Sequence, residues 1–280
     1  MSPNPRTIPF VKASACGNSF LLIDLLSIDG SMVNGSLAPA GITEFSRLIC
    51  DPNEGVGADG VEWMFPHATA DVEIRLINAD GSEAEISGNG TRCVAAYLCA
   101  ERGKDKISIQ TGAGLKTCTL TAQLNSEYEF EIEMGEAVVG KELALSLAAA
   151  EVRTKIQGIP VSMGNPHYVV FVPAFAENWQ REAAQIQRDP IFKQGINIEL
   201  VVIENTHSVA ALFFERGVGE TQSSGTGSCA SAIAAIATGK AESPVKVHAP
   251  GGTQTVRTEG KVVFLRGPAR LVCHGEFFLD

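Results

Sequence analysis

Apolar positions along the chain follow two rhythms. In the first, they alternate with polar ones, as Val72, Ile74 and Leu76 do within 71–78. Alternation, or a short apolar run bounded by turn residues, predicts strands over 8–12, 20–25, 61–65, 71–78, 107–111, 115–124 and 128–134. In the second half it predicts strands over 156–163, 168–172, 197–204, 209–215, 245–248, 253–258, 261–265 and 269–278. The other rhythm is helical. Phe45, Leu48 and Ile49 behind a cap-like Thr43 predict a short helix over 43–50. Val94, Tyr97 and Leu98 predict one over 91–101, closed by Arg102-Gly103. Further helices are expected over 177–187 and 228–239, the latter with Ile233, Ile236 and Ala237 inward. Ala15 to Ser19 reads as a hairpin turn, and a Gly/Ser/Pro-rich loop runs to Gly41. Residues 135–151 read as a partly helical connection and mark the domain change. The expected class is α+β, with many strands around one central helix in each half. The expected domains are 1–134 plus 269–280, and 135–268.

The halves share a motif. Residues 78–93 and 215–230 align without gaps, matching Glu83 with Glu220, Ser87 with Ser224, Gly88 with Gly225 and Gly90 with Gly227. The spacing, Ser87 to Ser224, is a constant 137 residues, close to half the chain. Each copy runs into an Ala-rich apolar stretch of helical spacing. The pattern is that of a duplicated domain with one Gly-rich loop per half.

Composition narrows the partners. A formal net charge of −10 without any Lys/Arg run disfavours nucleic acid and anionic membrane surfaces. No apolar run reaches spanning length, and Met1 to Arg6 lacks the apolar core of a signal peptide, so a cytoplasmic protein is expected. Seven scattered cysteines argue for free thiols. Asn34-Gly35-Ser36 and Asn89-Gly90-Thr91 fit the glycosylation pattern, which is empty without secretion. Gly55 to Gly60 satisfies GxGxxG, but no strand precedes it and a strand rather than a helix follows, so it reads as a turn.

A Gly-rich loop that opens a helix presents unpaired N–H groups at the positive end of the dipole. That suits a carboxylate or phosphate. Two such loops would each carry a hydroxyl, Ser87 or Ser224, to the anion. Taken singly, each serine reads as a helix N-cap; the duplicated position is what points to function.

The ordered set Gly17-Asn18-Ser19-Phe20, Gly55 to Asp59, Asn78 to Glu83, Gly88 to Cys93, Met163 to His167, Asn197, Glu215 to Thr221 and Gly225 to Cys229 resembles the diaminopimelate epimerase family. That family belongs with cofactor-independent racemases such as proline racemase. The resemblance implies two similar domains, each a mixed sheet around a central helix, with substrate between them. It implies two-base proton transfer at an α-carbon by a thiolate and a thiol, with neither pyridoxal phosphate nor metal. Carried over by motif, Asn18, Asn78, Asn165, Asn197 and Arg216 would grip the non-reacting end of the substrate. Gly88, Asn89, Gly225 and Thr226 would donate to the α-carboxylate, and His167 and Glu215 would tune the bases. His167 alone reads as a satisfied loop histidine; Gly164-Asn165-Pro166 before it reverses that. The implied partner is a small diaminopimelate-like amino acid of lysine and cell-wall metabolism, with room for a homodimer.

The chain departs from the family at the reacting atoms. Ser87 and Ser224 stand where the family has its catalytic cysteines, and Ser19 where it usually has Asp. Cys93 and Cys229 match the family's other cysteines, expected to be packed in the helices. Ionising a thiol of pKa ~8.5 at neutral pH costs roughly 2 kcal/mol. An alkoxide, judged from water's ~15.7, costs on the order of 12 kcal/mol. Three readings follow. An epimerase could carry introduced Cys-to-Ser replacements. A homologue could have altered or lost chemistry, as a dehydratase or isomerase of another amino or hydroxy acid, or as a binding protein. Ser224 could instead be an acyl-transfer nucleophile served by His167 and Glu215, although no GxSxG elbow supports it.

Overall fold

The computed structural model describes residues 6–25, 39–149 and 152–279. The Gly/Ser/Pro-rich loop up to residue 38, Asn34-Gly35-Ser36 and the first five residues lie outside the described residues. The chain forms two compact units, one of Met1–Ile132 with Gly267–Asp280, the other of Glu133–Arg266. The fold is strand-rich, and among the described residues no helix is long and apolar enough to cross a membrane.

The first unit opens with β1 (Arg6–Ala15) and β2 (Asn18–Asp24), paired antiparallel from Val11↔Leu22 to Ala15↔Asn18. The two-residue turn has positive φ at both Cys16 and Gly17, the twist that tight hairpins favour. There follow α1 (Pro39–Cys50), β3 (Gly60–Phe65), β4 (Val72–Asn78), the two-residue β5 (Glu83–Ala84), α2 (Gly88–Arg102), β6 (Lys106–Thr111), β7 (Gly114–Leu124) and β8 (Glu127–Glu136). The last strand of the chain, Val262–Leu279, returns to pair with β1 from Arg6↔Leu279 to Ser14↔Arg270. Following the pairings from β1 through β2, β3, β4, β6, β7, β8 and that last strand leads back to β1, a closed ring of eight strands. Helix α2 packs on β1, β2 and β6, and every residue from Asn89 to Ala96 is buried. It ends at Gly103, in the left-handed conformation, whose N–H donates to Cys99 O.

Helix α1 covers the other face of β3. Ile42, Phe45 and Ile49 pack with Val61 and Trp63, and the Trp63 indole N–H donates to Ser46 Oγ at 2.9 Å. Strand side chains alternate between faces, so Glu62, between Val61 and Trp63, points away from α1.

The second unit contains β9 (Val138–Val139), β10 (Leu143–Ala149), β11 (Val152–Ser162), β12 (Pro166–Phe171), α3 (Trp179–Gln187), β13 (Asn197–Asn205), β14 (Ser208–Glu215), β15 (Gly219–Thr221), α4 (Gly225–Ala237), β16 (Val245–Ala249), β17 (Gly252–Glu259) and the start of the last strand, β18 (Val262–Leu279). Helix α4 packs on β11 to β14, β16 and β17, and its alanines allow close approach within a core of Val169, Val201, Phe213, Val247 and Leu265. Trp179, Ala183 and Ile186 of α3 cover Tyr168, Ile198 and Leu200 on the sheet.

The two units repeat one set of pairings. β2 runs parallel to β3, and β12 parallel to β13. β5 folds back on β4 with Ile77↔Glu83; β15 folds back on β14 with Phe214↔Glu220. The Ile77↔Glu83 and Phe214↔Glu220 pairs are displaced by the same 137 residues as the two serines.

The structure differs from the sequence reading in several elements. The described part of 135–151 contains no helix: β8 ends at Glu136, and β9 and β10 follow as strands, while residues 150 and 151 lie outside the described residues. Residues Leu143 to Ala149 have helix-forming composition, but β10 pairs along its whole length with β11, from Leu143↔Gly158 to Ala149↔Val152, and sheet pairing overrides propensity. The strands expected over 261–265 and 269–278 are one strand, β18. Thr43 lies inside α1, which starts four residues earlier.

Candidate active site

The site is built separately in each unit, from the N-terminus of the central helix outward. In the first, Ser87 has extended backbone and its Oγ accepts from Gly90 N at 3.0 Å. Its carbonyl accepts from Thr91 N at 2.8 Å and from Thr91 Oγ1 at 2.7 Å. Ser87 is thus a helix N-cap, and its own hydroxyl proton has no acceptor among the described residues. The N–H groups of Gly88 and Asn89 precede the helix ladder and have no acceptor within α2.

Asn18, at the hairpin turn, is tied to this helix end. Asn89 Nδ2 donates to Asn18 Oδ1 at 2.7 Å, while Asn89 Oδ1 accepts from the fully buried Arg92 guanidinium. Arg92 Nε donates to Pro268 O at 3.1 Å. A Cβ on Gly267 would lie 3.0 Å from Arg92 Cζ, so glycine there makes room for the guanidinium. Asn78 ends β4, where its Nδ2 donates to Ser82 Oγ at 2.9 Å. The GxGxxG stretch joins the two asparagine turns. Asp59 Oδ2 accepts from Ser19 N at 2.7 Å, and Asp59 O accepts from Ala79 N at 2.9 Å. Lys12 Nζ donates to Gly57 O at 2.6 Å, fixing the loop further.

In the second unit Ser224 repeats the cap, its Oγ accepting from Gly227 N at 3.1 Å. A Cβ on Gly227 would lie 2.8 Å from Phe213 Cδ1 and 2.9 Å from Ser224 Cβ, so only glycine fits beneath the cap. Asn165 Nδ2 donates to Thr226 Oγ1 at 3.3 Å. His167 is buried, with Nδ1 2.6 Å from Glu199 Oε1 and Nε2 3.0 Å from Asn165 Oδ1. Each ring nitrogen thus meets an oxygen, so the histidine bridges Glu199 and Asn165. Burial pushes the Glu199 carboxyl above the usual carboxylate range, and His167 draws it partly back. Asn197 Oδ1 accepts from Arg216 N at 2.9 Å, and Asn197 Nδ2 donates to Pro166 O at 3.1 Å. Arg216 Nη1 donates to Gln194 O at 2.8 Å. Glu215 ends β14 opposite Gly219.

The structure therefore brings Asn18 to Asn89 in the first unit. In the second it links Thr226, Asn165 and His167 into one chain and joins Asn197 to Arg216. His167 engages Glu199 and Asn165 with its ring nitrogens. Cys93 and Cys229 are fully buried in α2 and α4, and all seven cysteines are free thiols.

Sequence reasoning missed Glu62, Glu199, Arg92 and Asp59. The usable signal for the two glutamates was the repeat itself, because Glu62 and Glu199 are 137 residues apart and each interrupts an apolar strand. Glu62 is fully buried, neither carboxyl oxygen has a hydrogen-bond partner among the described residues, and burial pushes its pKa up to about 8.

Comparison with known proteins follows the same outline. The family model described as diaminopimelate epimerase matches residues 10–140 and 159–272. The diaminopimelate epimerase of Desulfitobacterium hafniense is 32% identical, over 96% of this chain and 98% of its own. That of Pelotomaculum thermopropionicum is 35% identical, over 96% and 98%. Among solved structures, a hydroxyproline epimerase from Agrobacterium vitis with bound trans-4-hydroxy-L-proline superposes with a TM-score of 0.71 at 15% identity, covering 98% of this chain and 93% of that one. A phenazine biosynthesis protein of the PhzF family from Bacillus anthracis gives 0.69 at 18% identity, covering 98% and 100%. At these identities the structures establish a shared fold.

Proposed function

The chain belongs to the diaminopimelate epimerase family, and from that premise we propose that it is an isomerase that moves the α-proton of diaminopimelate, interconverting the LL and meso forms. The observation that carries this reading is the duplicated cap. Two helix N-termini, 137 residues apart, each hold one serine hydroxyl beside first-turn N–H groups. In this reading the fold is an α+β duplication, with one proton-transfer position per unit.

In each unit the first-turn N–H groups, of Gly88 and Asn89 in the first and of Gly225 and Thr226 in the second, are assigned as donors for the α-carboxylate. Donors placed there stabilise the negative charge that develops when the α-proton leaves. Asn18 and Asn78 of the first unit, and Asn165, Asn197 and Arg216 of the second, are the side chains assigned to the distal, zwitterionic end, and fixing both ends of the substrate aligns one C–H bond with one hydroxyl. His167 and Glu215 set the electrostatics around Ser224. The reading requires neither pyridoxal phosphate nor metal. We place the reaction in cytoplasmic lysine and cell-wall amino-acid metabolism, with a homodimer as the assembly to test.

Serine oxygen is a poor base without help, so turnover is slow relative to a cysteine version of the same site. The test is product analysis. LL-diaminopimelate incubated with the protein is converted to a mixture with the meso form, faster for Ser87→Cys/Ser224→Cys. Recovery of the starting isomer from both proteins contradicts the reading.

A further inference from the structure

We propose that Glu62 is the proton reservoir of the first unit's reaction position, giving and taking the proton that Ser87 carries. The inference rests on the function proposed above and deepens it, by naming the group that makes a serine usable.

The geometry is specific. Glu62 sits on β3 on the face turned away from α1, and reaches the first turn of α2 where Gly90 has no side chain. A Cβ built on Gly90 would lie 1.9 Å from Glu62 Oε1 and 3.3 Å from Ser87 Cβ. The carboxyl and the serine therefore flank one point, and Oε1 is no farther from Ser87 Cβ than those two distances laid end to end. Among the described residues the Ser87 hydroxyl proton meets no acceptor, and neither Glu62 oxygen meets a donor. A rotation of Ser87, or one water, joins them.

The surroundings leave Glu62 little other role. Its cross-strand neighbours are Leu22 on β2 and Leu76 on β4. From α2, the titratable group it acts on is Cys93: burial pushes that thiol up, Arg92 opposes the shift and Glu62 adds to it. The second unit fills the equivalent position differently. There His167 stands beside Asn197 in register and pairs with Glu199, whereas the residue beside Gly60 in the first unit is Phe20. An unpartnered buried carboxyl destabilises a fold, and such groups concentrate where protons are moved.

The chemistry balances. The α C–H bond breaks and its electron pair stays on the α-carbon, delocalised into the substrate carboxylate. Ser87 Oγ takes the proton as the Ser87 hydroxyl proton passes to the Glu62 carboxylate, which becomes neutral. In the reverse direction neutral Glu62 returns a proton to Ser87 as Ser87 gives its own to carbon. A carboxyl lifted to about 8 is nearly as strong a base as the thiolate it replaces, of pKa ~8.5. No free alkoxide forms.

The test compares Glu62→Gln in two backgrounds, following α-proton exchange into deuterium oxide. In the parent chain the substitution lowers kcat at least tenfold with KM unchanged and removes the limb of the pH profile near 8. Glu62→Asp recovers part of the rate. In Ser87→Cys, where the thiolate is its own base, Glu62→Gln changes the rate less than threefold. An equal loss in both backgrounds makes Glu62 structural and overturns the proposal, as does no loss in the parent. Should neither the parent nor Ser87→Cys/Ser224→Cys exchange any proton, the functional reading has failed. The carboxyl carbon-13 titration of Glu62 then decides: a midpoint moved by Ser87→Ala supports the coupling, and an unmoved midpoint overturns it.

Discussion

Glu62 and Glu199 hold the same position in the two units, yet among the described residues only Glu199 has a histidine to pair with. His167 Nδ1 lies 2.6 Å from Glu199 Oε1, whereas neither oxygen of Glu62 meets a donor among the described residues. The difference traces to one residue on the neighbouring strand, His167 in β12 against Phe20 in β2.

Stability should record the unpaired carboxyl. The Glu62 pKa rises from 4.5 to about 8 through burial. A raised carboxyl pKa means the folded state holds the proton over a window in which the unfolded chain has released it. Stability is full below about pH 4.5 and declines as pH rises towards 8, by up to about 5 kcal/mol for this group alone. Glu62→Gln has no such decline. The Tm of the variant minus that of the parent should grow from pH 5 to pH 8 in calorimetry; a constant difference would show that Glu62 does not titrate there.

The Glu199–His167 pair behaves oppositely on mutation. Replacing His167 by Leu strands a buried carboxyl and should cost about 3–5 kcal/mol in urea unfolding. Replacing both residues by Leu removes the stranded charge and should cost less than the single change. A double variant less stable than His167→Leu would contradict the pairing as described.

Gly90 is needed for a contact rather than for backbone freedom. Gly90→Ala puts a Cβ against Glu62 Oε1 and should destabilise the fold. In a Glu62→Ala background the same substitution should be tolerated better, with a coupling of about 1–3 kcal/mol. Additive effects in denaturation would place the Gly90 constraint elsewhere.

The capping serines serve structure as well as chemistry. Ser87→Ala and Ser224→Ala each remove a side-chain acceptor from a helix end and should cost about 1 kcal/mol. Replacing the serines by Cys also weakens the cap, because sulfur is the poorer acceptor. The double Cys variant should therefore melt below the parent while exchanging protons faster.

Much of this was legible in the sequence because it rests on local patterns. Alternation exposed the strands, and two Gly-rich loops ahead of apolar stretches exposed Ser87 and Ser224. Helix starts were read late, at Thr91 and Ser228 rather than Gly88 and Gly225, because the glycines of the first turn carry no apolar periodicity. The two-residue β5 and three-residue β15 are too short to show alternation. β10 was hidden by an Ala- and Leu-rich composition that only its pairing with β11 overrides. Glu62 gave no local signal of its role, since its meaning comes from Gly90, which β3 meets only through the fold.

The most direct measurement of the central claim is exchange of the α-proton of LL- and meso-diaminopimelate in deuterium oxide, followed by NMR. Slow exchange by the parent chain and fast exchange by Ser87→Cys/Ser224→Cys are expected. Absence of exchange from both proteins, with correctly folded samples, would contradict it.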